Sequence, residues 1–331
     1  MTTHSKKLKE KAPSDTLWVG IDVSKHELQI HFLKPSPGLP EKLPYDKPSL
    51  AKLVAHLKRD GRYHVIFEAT GGYEKPLLKC LQVNGIRCSR TNPWKVRSFA
   101  NAKGRIAKTD KIDAAVLAEF GACIQPMLTR QSDPAWEELG ALINYRRHLC
   151  DELKREEMQL EQPKPAAIAT MIKARIRTLK AQIGKLRASI DRHVAAHDTL
   201  KEAVEALSAV DGVGTLTAAS LLSAMPELGK LNRNQAAALA GLAPMNCDSG
   251  TMKGKQTTYG GRVAIRQAIY MSALVASRHN ATLKKAYQDL LSRGKAKKVA
   301  LIALARKLLV YLNSVMTKLL EKQLLPLIAG A

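Results

Sequence analysis

Leu17-Trp-Val-Gly-Ile-Asp-Val23 makes the first part of this chain an α/β unit. It is a short apolar run of strand length, with one carboxylate, Asp22, near its end. A second β-like run, Glu27–Leu33, follows the polar turn Ser24-Lys25-His26, so the two read as an antiparallel hairpin. Tyr63-His-Val-Ile-Phe-Glu68 is another apolar run that ends in an acid, and Ile86–Thr91 is a further strand candidate. Leu50–Leu57, Tyr73–Val83 and Ala107–Phe120 read as helices. Strands alternating with helices predict an α/β unit over residues 15–130. Residues 34–48 hold Pro35, Pro37, Pro40, Pro44 and Pro48 and read as a loop or edge connection. Residues 1–14 are polar and lysine-rich, a loose tail.

Beyond residue 130 the texture changes. Ile172, Ile176, Leu179, Ile183, Leu186 and Ile190 recur at alternating steps of four and three, a coiled-coil seam. Leu139, Leu142, Arg146, Leu149 and Leu153 repeat the pattern more weakly before Pro163-Lys-Pro165. Residues 131–206 therefore read as a helical coiled-coil hairpin, packed on itself or on a second subunit. Residues 207–331 read as a mainly helical, basic domain. Val210-Asp-Gly-Val-Gly-Thr215 suits a helix–hairpin–helix whose glycines admit a phosphate, or equally an ordinary helix cap.

Composition narrows the partners. The chain has 331 residues, with 53 Lys and Arg against 29 Asp and Glu, a formal net charge of +24. Such a balance points to nucleic acid before any other partner. No apolar run reaches the length of a membrane span, and the N-terminus lacks a signal-peptide core. The apolar stretch Val299–Leu312 is broken by Arg306 and Lys307 and reads as a packing helix. The five cysteines, Cys80, Cys88, Cys123, Cys150 and Cys247, are scattered with no Cys-x-x-Cys pair. They suit reduced thiols in a cytoplasm rather than a disulfide frame or a zinc site.

In so basic a chain, four acids stand out: Asp22, Glu68, Asp110 and Asp113. The last two lie in Lys108-Thr-Asp-Lys-Ile-Asp-Ala114, on one helix face. Two carboxylates about 4 Å apart repel by roughly 4 kcal/mol at an effective dielectric of 20, so converging acids need a cation. Mg²⁺ takes hard oxygen ligands and keeps exchangeable waters. Two such ions can clamp both oxygens of a phosphodiester displacement. One Asp on a central strand, Glu at a later strand end and an i,i+3 pair on a later helix suit an RNase H-like layout. An isolated Asp-x-x-Asp is commonly just a solvated helix face.

Cations flank these acids. Pro93-Trp94-Lys95-Val-Arg97 and Lys103-Gly-Arg105-Ile-Ala-Lys108 lead into the acidic helix and suit phosphate contact. Trp94 suits base stacking or core packing alike. Lys253, Lys255, Arg262 and Arg266 surround Ser249, and a third basic run spans Lys284 to Lys298. His193 and His197 stand at i,i+4 without a third ligand nearby and read as an exposed helix face.

Gly20-Ile-Asp-Val-Ser-Lys25, Glu68-Ala-Thr-Gly-Gly-Tyr73 and Ala107–Ala114 resemble the three motifs of DEDD-type insertion-sequence transposases with a RuvC-like N-terminal domain. Val210–Ala219, Leu239-Ala-Gly-Leu-Ala-Pro244 and Asp248-Ser-Gly250 resemble that family's second domain. The resemblance implies that Asp22, Glu68, Asp110 and Asp113 bind Mg²⁺. It also implies that Ser249 attacks a DNA phosphodiester to give a covalent phosphoserine. It further implies a structured bridge RNA that pairs with donor and target DNA, and dimers or tetramers that combine acids and serine from different subunits. The expected place of work is the cytoplasm, on the nucleoid when bound to DNA. A RuvC-like structure-selective endonuclease is the competing reading, and a non-catalytic nucleic-acid-binding protein is a third.

Overall fold

A computed structural model describes residues 13–105, 109–129, 131, 133–245 and 257–329, with residues 324–329 described by backbone alone. The chain forms two compact units, Met1–Gln131 and Ser132–Ala331.

The first unit is built on strands β1 (Leu17–Val23), β2 (Glu27–Phe32), β3 (Lys42–Pro44), β4 (Tyr63–Glu68) and β5 (Arg87–Thr91). They form one sheet in the order β3-β2-β1-β4-β5. β2 pairs antiparallel with β1 and β3, while β4 is parallel to β1 and β5. Strand side chains alternate between faces, and both faces are covered. Val19, Ile21, Val65 and Phe67 point to one side. There they meet Leu50, Leu53 and Leu57 of α1 (Lys47–Lys58) and Leu77, Leu78 and Leu81 of α2 (Glu74–Val83). Trp18 and Ile66 point to the other side, against α3 (Pro93–Ala102) and α4 (Asp110–Ile124).

Two glycines set how closely α4 lies on the sheet. A Cβ at Gly20 would stand 2.0 Å from the Ala114 carbonyl oxygen and 2.6 Å from the Ala118 nitrogen. A Cβ at Gly121 would stand 2.6 Å from the Trp18 ring and 2.7 Å from Ile66. Gly20 thus faces Ala114–Ala118, and Trp18 faces Gly121, so α4 runs antiparallel to β1. On the same face the buried His64 ring stacks on Trp18 at 4.7 Å and its Nε2 bonds the Ser89 hydroxyl at 2.8 Å. Burial, followed by the charge of Arg87, pushes the His64 pKa down to about 4.

The strand and helix expectations meet three local differences. Pro93–Arg97, read as a basic lead-in, begins α3, because Asn92 accepts a hydrogen bond from the Trp94 N–H at 2.9 Å and Pro93 opens the first turn. The proline-rich loop contains the short edge strand β3. The described part of α4 begins at Asp110, capped by Thr109.

The second unit is helical. It contains α5 (Pro134–Leu160), α6 (Ala166–Ala195), α7 (Asp198–Ser208), α8 (Thr215–Ala224), α9 (Arg233–Leu239), α10 (Val263–His279), α11 (Ala281–Ser292) and α12 (Lys297–Ala329). α5 and α6 pack against each other, joined through residues 161–165. Ion pairs tie them at Arg175–Glu156 (3.1 Å) and Lys180–Glu157 (3.0 Å). Ile172, Leu179 and Ile190 of the heptad seam are buried; Ile176, Ile183 and Leu186 are half-buried. Residues 133–206 lie in the same compact unit as the C-terminal helices, because Ala135, Leu139 and Ile190 join the core of Leu221, Leu222, Ile269, Leu304 and Leu308.

His193 is not on an exposed face. It is buried, and its Nε2 bonds the Ala135 carbonyl at 2.8 Å, tying α6 to the start of α5. Among the described residues one helical stretch, Lys297–Gln323, is long and apolar enough to cross a membrane. Its Leu304, Leu308, Leu309 and Leu312 are fully buried in the core of the unit. Of the five thiols, Cys80, Cys88, Cys123 and Cys150 are free, and Cys247 lies outside the described residues.

The Gly20→Ala variant is expected to lose about 3 kcal/mol or more, since its methyl would meet backbone rather than a side chain that can rotate away. A lowered thermal midpoint of the first unit checks this. His64 has a folded pKa below its unfolded value, so the unfolded chain takes up the proton first as pH falls. Stability is present above the unfolded pKa and is lost between pH 6.5 and about 4. The loss amounts to roughly 3 kcal/mol. Urea titrations of wild type and His64→Asn across that window should show the steeper loss in wild type.

Candidate active site

The four acids occupy one edge of the first unit. The parallel register that pairs Ile21 with Phe67 carries Asp22 and Glu68 to the same level of adjacent strands. Backbones there are about 4.8 Å apart. Asp22 shares its face with Gly20 and Trp18, and Glu68 shares its face with Ile66, so both look to the α4 side. Since α4 runs antiparallel to β1, the step from Gly20 to Asp22 leads to the first turn of α4, where Asp110 and Asp113 lie. Asp22, Glu68 and Asp113 are half-buried, and Asp110 is exposed. Carboxylates in that first turn also suit the positive end of the helix dipole.

All four donors are carboxylate oxygens, the chemistry a hard divalent ion takes. Among the described residues, no three His, Cys, Asp or Glu side chains stand close enough to grip one ion together. The fold thus brings the acids to one edge without closing them round a point.

The loop after Glu68 is held by a residue that the sequence reading passed over. Glu74, the first residue of α2, is buried, and one carboxylate oxygen accepts from the N–H groups of Gly72 (2.8 Å) and Thr70 (3.1 Å). Its other oxygen faces Arg90 at 3.4 Å. Burial works to raise the Glu74 pKa, but the backbone N–H groups and Arg90 outweigh it and hold the carboxyl below its usual range. Tyr45 donates to the Tyr73 carbonyl at 2.7 Å, and the Ala69 N–H donates to the Thr91 carbonyl at 3.2 Å. Gly71 and Gly72 have φ of +69° and +113°, which lets the loop double back onto Glu74. The signal for this role was an acid at a helix start directly after Glu68-Ala-Thr-Gly-Gly-Tyr73.

The expected nucleic-acid contacts divide. Trp94 is 74% exposed, and Lys95 and Arg97 are exposed beside it on α3. This helix leaves the sheet just past Thr91, the residue paired with Glu68. Base stacking by Trp94 thus has the surface it needs. Lys103 and Arg105 instead grip Glu119 of α4 at 2.6 and 2.7 Å. Burial opposes ionisation of Glu119, and the two cations overcome it and keep its carboxyl low. Lys111 pairs with Glu41 at 2.9 Å. Lys108 lies outside the described residues.

In the second unit, Ser249, Lys253 and Lys255 also lie outside the described residues. The ends of their loop are described, and they are pinched together. Met245 and Thr257 exchange backbone hydrogen bonds at 2.8 and 3.2 Å. A Cβ at Gly241 would stand 2.2 Å from the Gly260 carbonyl, so these two backbones touch. Arg266 donates to the Gly260 carbonyl at 2.6 Å. Arg262 forks onto Glu227 at 2.7 and 2.8 Å and also donates to the Ala224 carbonyl at 2.7 Å. Both arginines, expected on nucleic acid, brace the neck of the loop. Gly212, in the Gly-x-Gly turn before α8, packs against Ala276 of α10, whereas Gly214 caps α8 with open space before it.

An α/β unit edged by carboxylates, joined in one chain to a basic helical unit, has the make-up of an enzyme that works on nucleic acid. The sequence comparisons name the family. A DEDD transposase model matches residues 19–163, and the transposase IS116/IS110/IS902 family model matches residues 204–288. The pilin gene-inverting proteins of Moraxella bovis and Moraxella lacunata are each 28% identical over 305 residues, 88% of this chain and 93% of theirs. The chain belongs to the IS110 family of transposases, whose substrate is DNA.

Removing the Glu74 carboxylate should cost on the order of 3 kcal/mol, since it leaves two backbone donors and a guanidinium without their acceptor. Glu74→Gln keeps one acceptor oxygen and should recover part of the loss seen in Glu74→Ala when the two are compared by chemical denaturation.

Proposed function

We propose that the protein moves its own insertion sequence by cutting and rejoining DNA through Ser249. The serine oxygen attacks a DNA phosphorus, the phosphorus bond to the leaving sugar oxygen breaks, and that oxygen takes up a proton. The strand stays on the protein as a phosphoserine diester. A second DNA hydroxyl then attacks that phosphorus and releases the serine, so bond energy is carried to the product rather than lost to water. No histidine lies in residues 243–261, and activation of Ser249 by the metal site or a nearby cation suits a site shared between subunits of a dimer or tetramer.

Asp22, Glu68, Asp110 and Asp113 would hold Mg²⁺, whose chemistry is to neutralise charge on phosphate oxygens. The single observation that carries this reading is the level placement of Asp22 and Glu68 on neighbouring parallel strands, with the first turn of α4 laid over them. The sheet order with an antiparallel β2 supports an RNase H-like, RuvC-type unit. The packed pair α5 and α6 supports a coiled-coil hairpin. The net charge of +24 suits nucleic-acid partners of either kind, and the second partner is a structured non-coding RNA that guides the choice of site. Work in a reducing cytoplasm suits the free thiols.

The serine step is tested on denaturing gels with labelled DNA. Wild type should yield a covalent protein–DNA adduct, and Ser249→Ala should lower recombination by about a thousandfold or more with nucleic-acid binding retained. Cleaved free ends without an adduct would establish the hydrolytic endonuclease instead. RNA recovered with the purified protein, and mapping beside its own gene, checks the guide.

A further inference from the structure

The first unit carries an open cavity of about 400 Å³ lined by Ser36, His56, Arg59, Asp60, Arg62 and Tyr63. It sits at the start of β4, about 16 Å along the strand from Glu68 and so away from the acidic edge. Its wall is a hydrogen-bonded chain. The Ser36 hydroxyl lies 2.8 Å from His56 Nε2 and 2.7 Å from the Tyr63 hydroxyl. Phe32 packs edge-on against both rings, at 5.4 Å from His56 and 5.7 Å from Tyr63.

The direction of that chain follows from its inner end. His56 is 6% exposed, and its Nδ1 has no hydrogen-bond partner among the described residues. A buried orphan donor is rarer than a buried orphan acceptor, so the proton belongs on Nε2. His56 then donates to Ser36, and either hydroxyl of the Ser36–Tyr63 pair can donate to the other. One hydroxyl proton of that pair is left over, available to a ligand in the cavity. Burial, followed by the charge of Arg59, lowers the His56 pKa, which favours the neutral ring.

Charge names the ligand. The lining has two guanidinium groups, one carboxylate and a neutral imidazole. Arg62 is met by Asp60, whose Oδ2 accepts from Nη2 at 2.8 Å, and by Asp15 at 4.0 Å, so Arg59 is the lining cation left to face a ligand. A guanidinium fork and a phenol donor facing a polar cavity match a singly charged oxyanion. We propose that this cavity binds a phosphodiester of a nucleic-acid strand, held by Arg59 and the Tyr63 hydroxyl, as an anchor separate from the acidic edge.

The test reads His56 itself, by NMR of the full chain with isotope-labelled histidine, against a short single-stranded oligonucleotide and, separately, inorganic phosphate. The expected result is a saturable shift of the His56 ring signals with the oligonucleotide. Its apparent affinity should fall about tenfold in Arg59→Gln and about threefold in Tyr63→Phe, with thermal midpoints near wild type. Because Ser249 and the four acids are untouched in these variants, the result stands apart from the fate of the serine mechanism. Saturation by inorganic phosphate but not by the oligonucleotide overturns the strand assignment. No shift with either probe, or shifts unchanged in both variants, overturns the site.

Discussion

The contact between the bare backbone of Gly20 and the backbone of α4 is what the arrangement of acids depends on. Because no side chain stands there, Ala114 and Ala118 approach β1 to within a distance that a methyl group would forbid. Gly121 repeats the device against Trp18 and Ile66, so the helix axis is fixed at two points. With two points fixed, the first turn of α4 has one place to go, over the ends of β1 and β4. Asp113 and Asp22 are 91 residues apart in the chain, yet steric exclusion along one helix–strand contact sets them on the same edge.

Acids do the organising in a chain with so many cations. Glu74 gathers the backbone of the loop behind Glu68, Glu119 draws together Lys103 and Arg105, and Glu227 holds Arg262 at the neck of the serine loop. Each keeps its carboxyl ionised against the cost of burial because several donors act at once. Acids with local partners of this kind are structural. Asp22 and Glu68 stand apart from these three by position, at the same level on the ends of neighbouring parallel strands. Among the cations, Lys95 and Arg97 are exposed beside Trp94 on α3, while Arg262 and Arg266 brace the fold.

The second unit follows a different logic. Its core runs through the base of α5 and α6 into α8, α10 and α12, and buried polar groups pin it at chosen points. Asn313 on α12 accepts from the Gly229 N–H at 2.9 Å and donates to the Leu231 carbonyl at 2.7 Å, while His193 ties α6 to α5. The serine loop leaves this frame through a neck where Gly241 and Gly260 touch.

The amino-acid sequence by itself determined the elements whose signals are local. Apolar runs of strand length marked β1 and β4, and β-like runs marked β2 and β5. The polar turn Ser24-Lys25-His26 marked the hairpin, the heptad spacing marked α6, and four acids in a basic chain marked the edge. It missed α3, although Asn92-Pro93 is a helix-start signal, because the cations that follow drew the reading towards phosphate contact. It placed His193 in solvent because periodicity cannot see a carbonyl that arrives from another helix. Tertiary structure alone decided the order of the strands, the level of Asp22 with Glu68, and which cations are already engaged. Those depend on contacts between residues far apart in the chain, where backbone clearance and charge pairing are settled by packing.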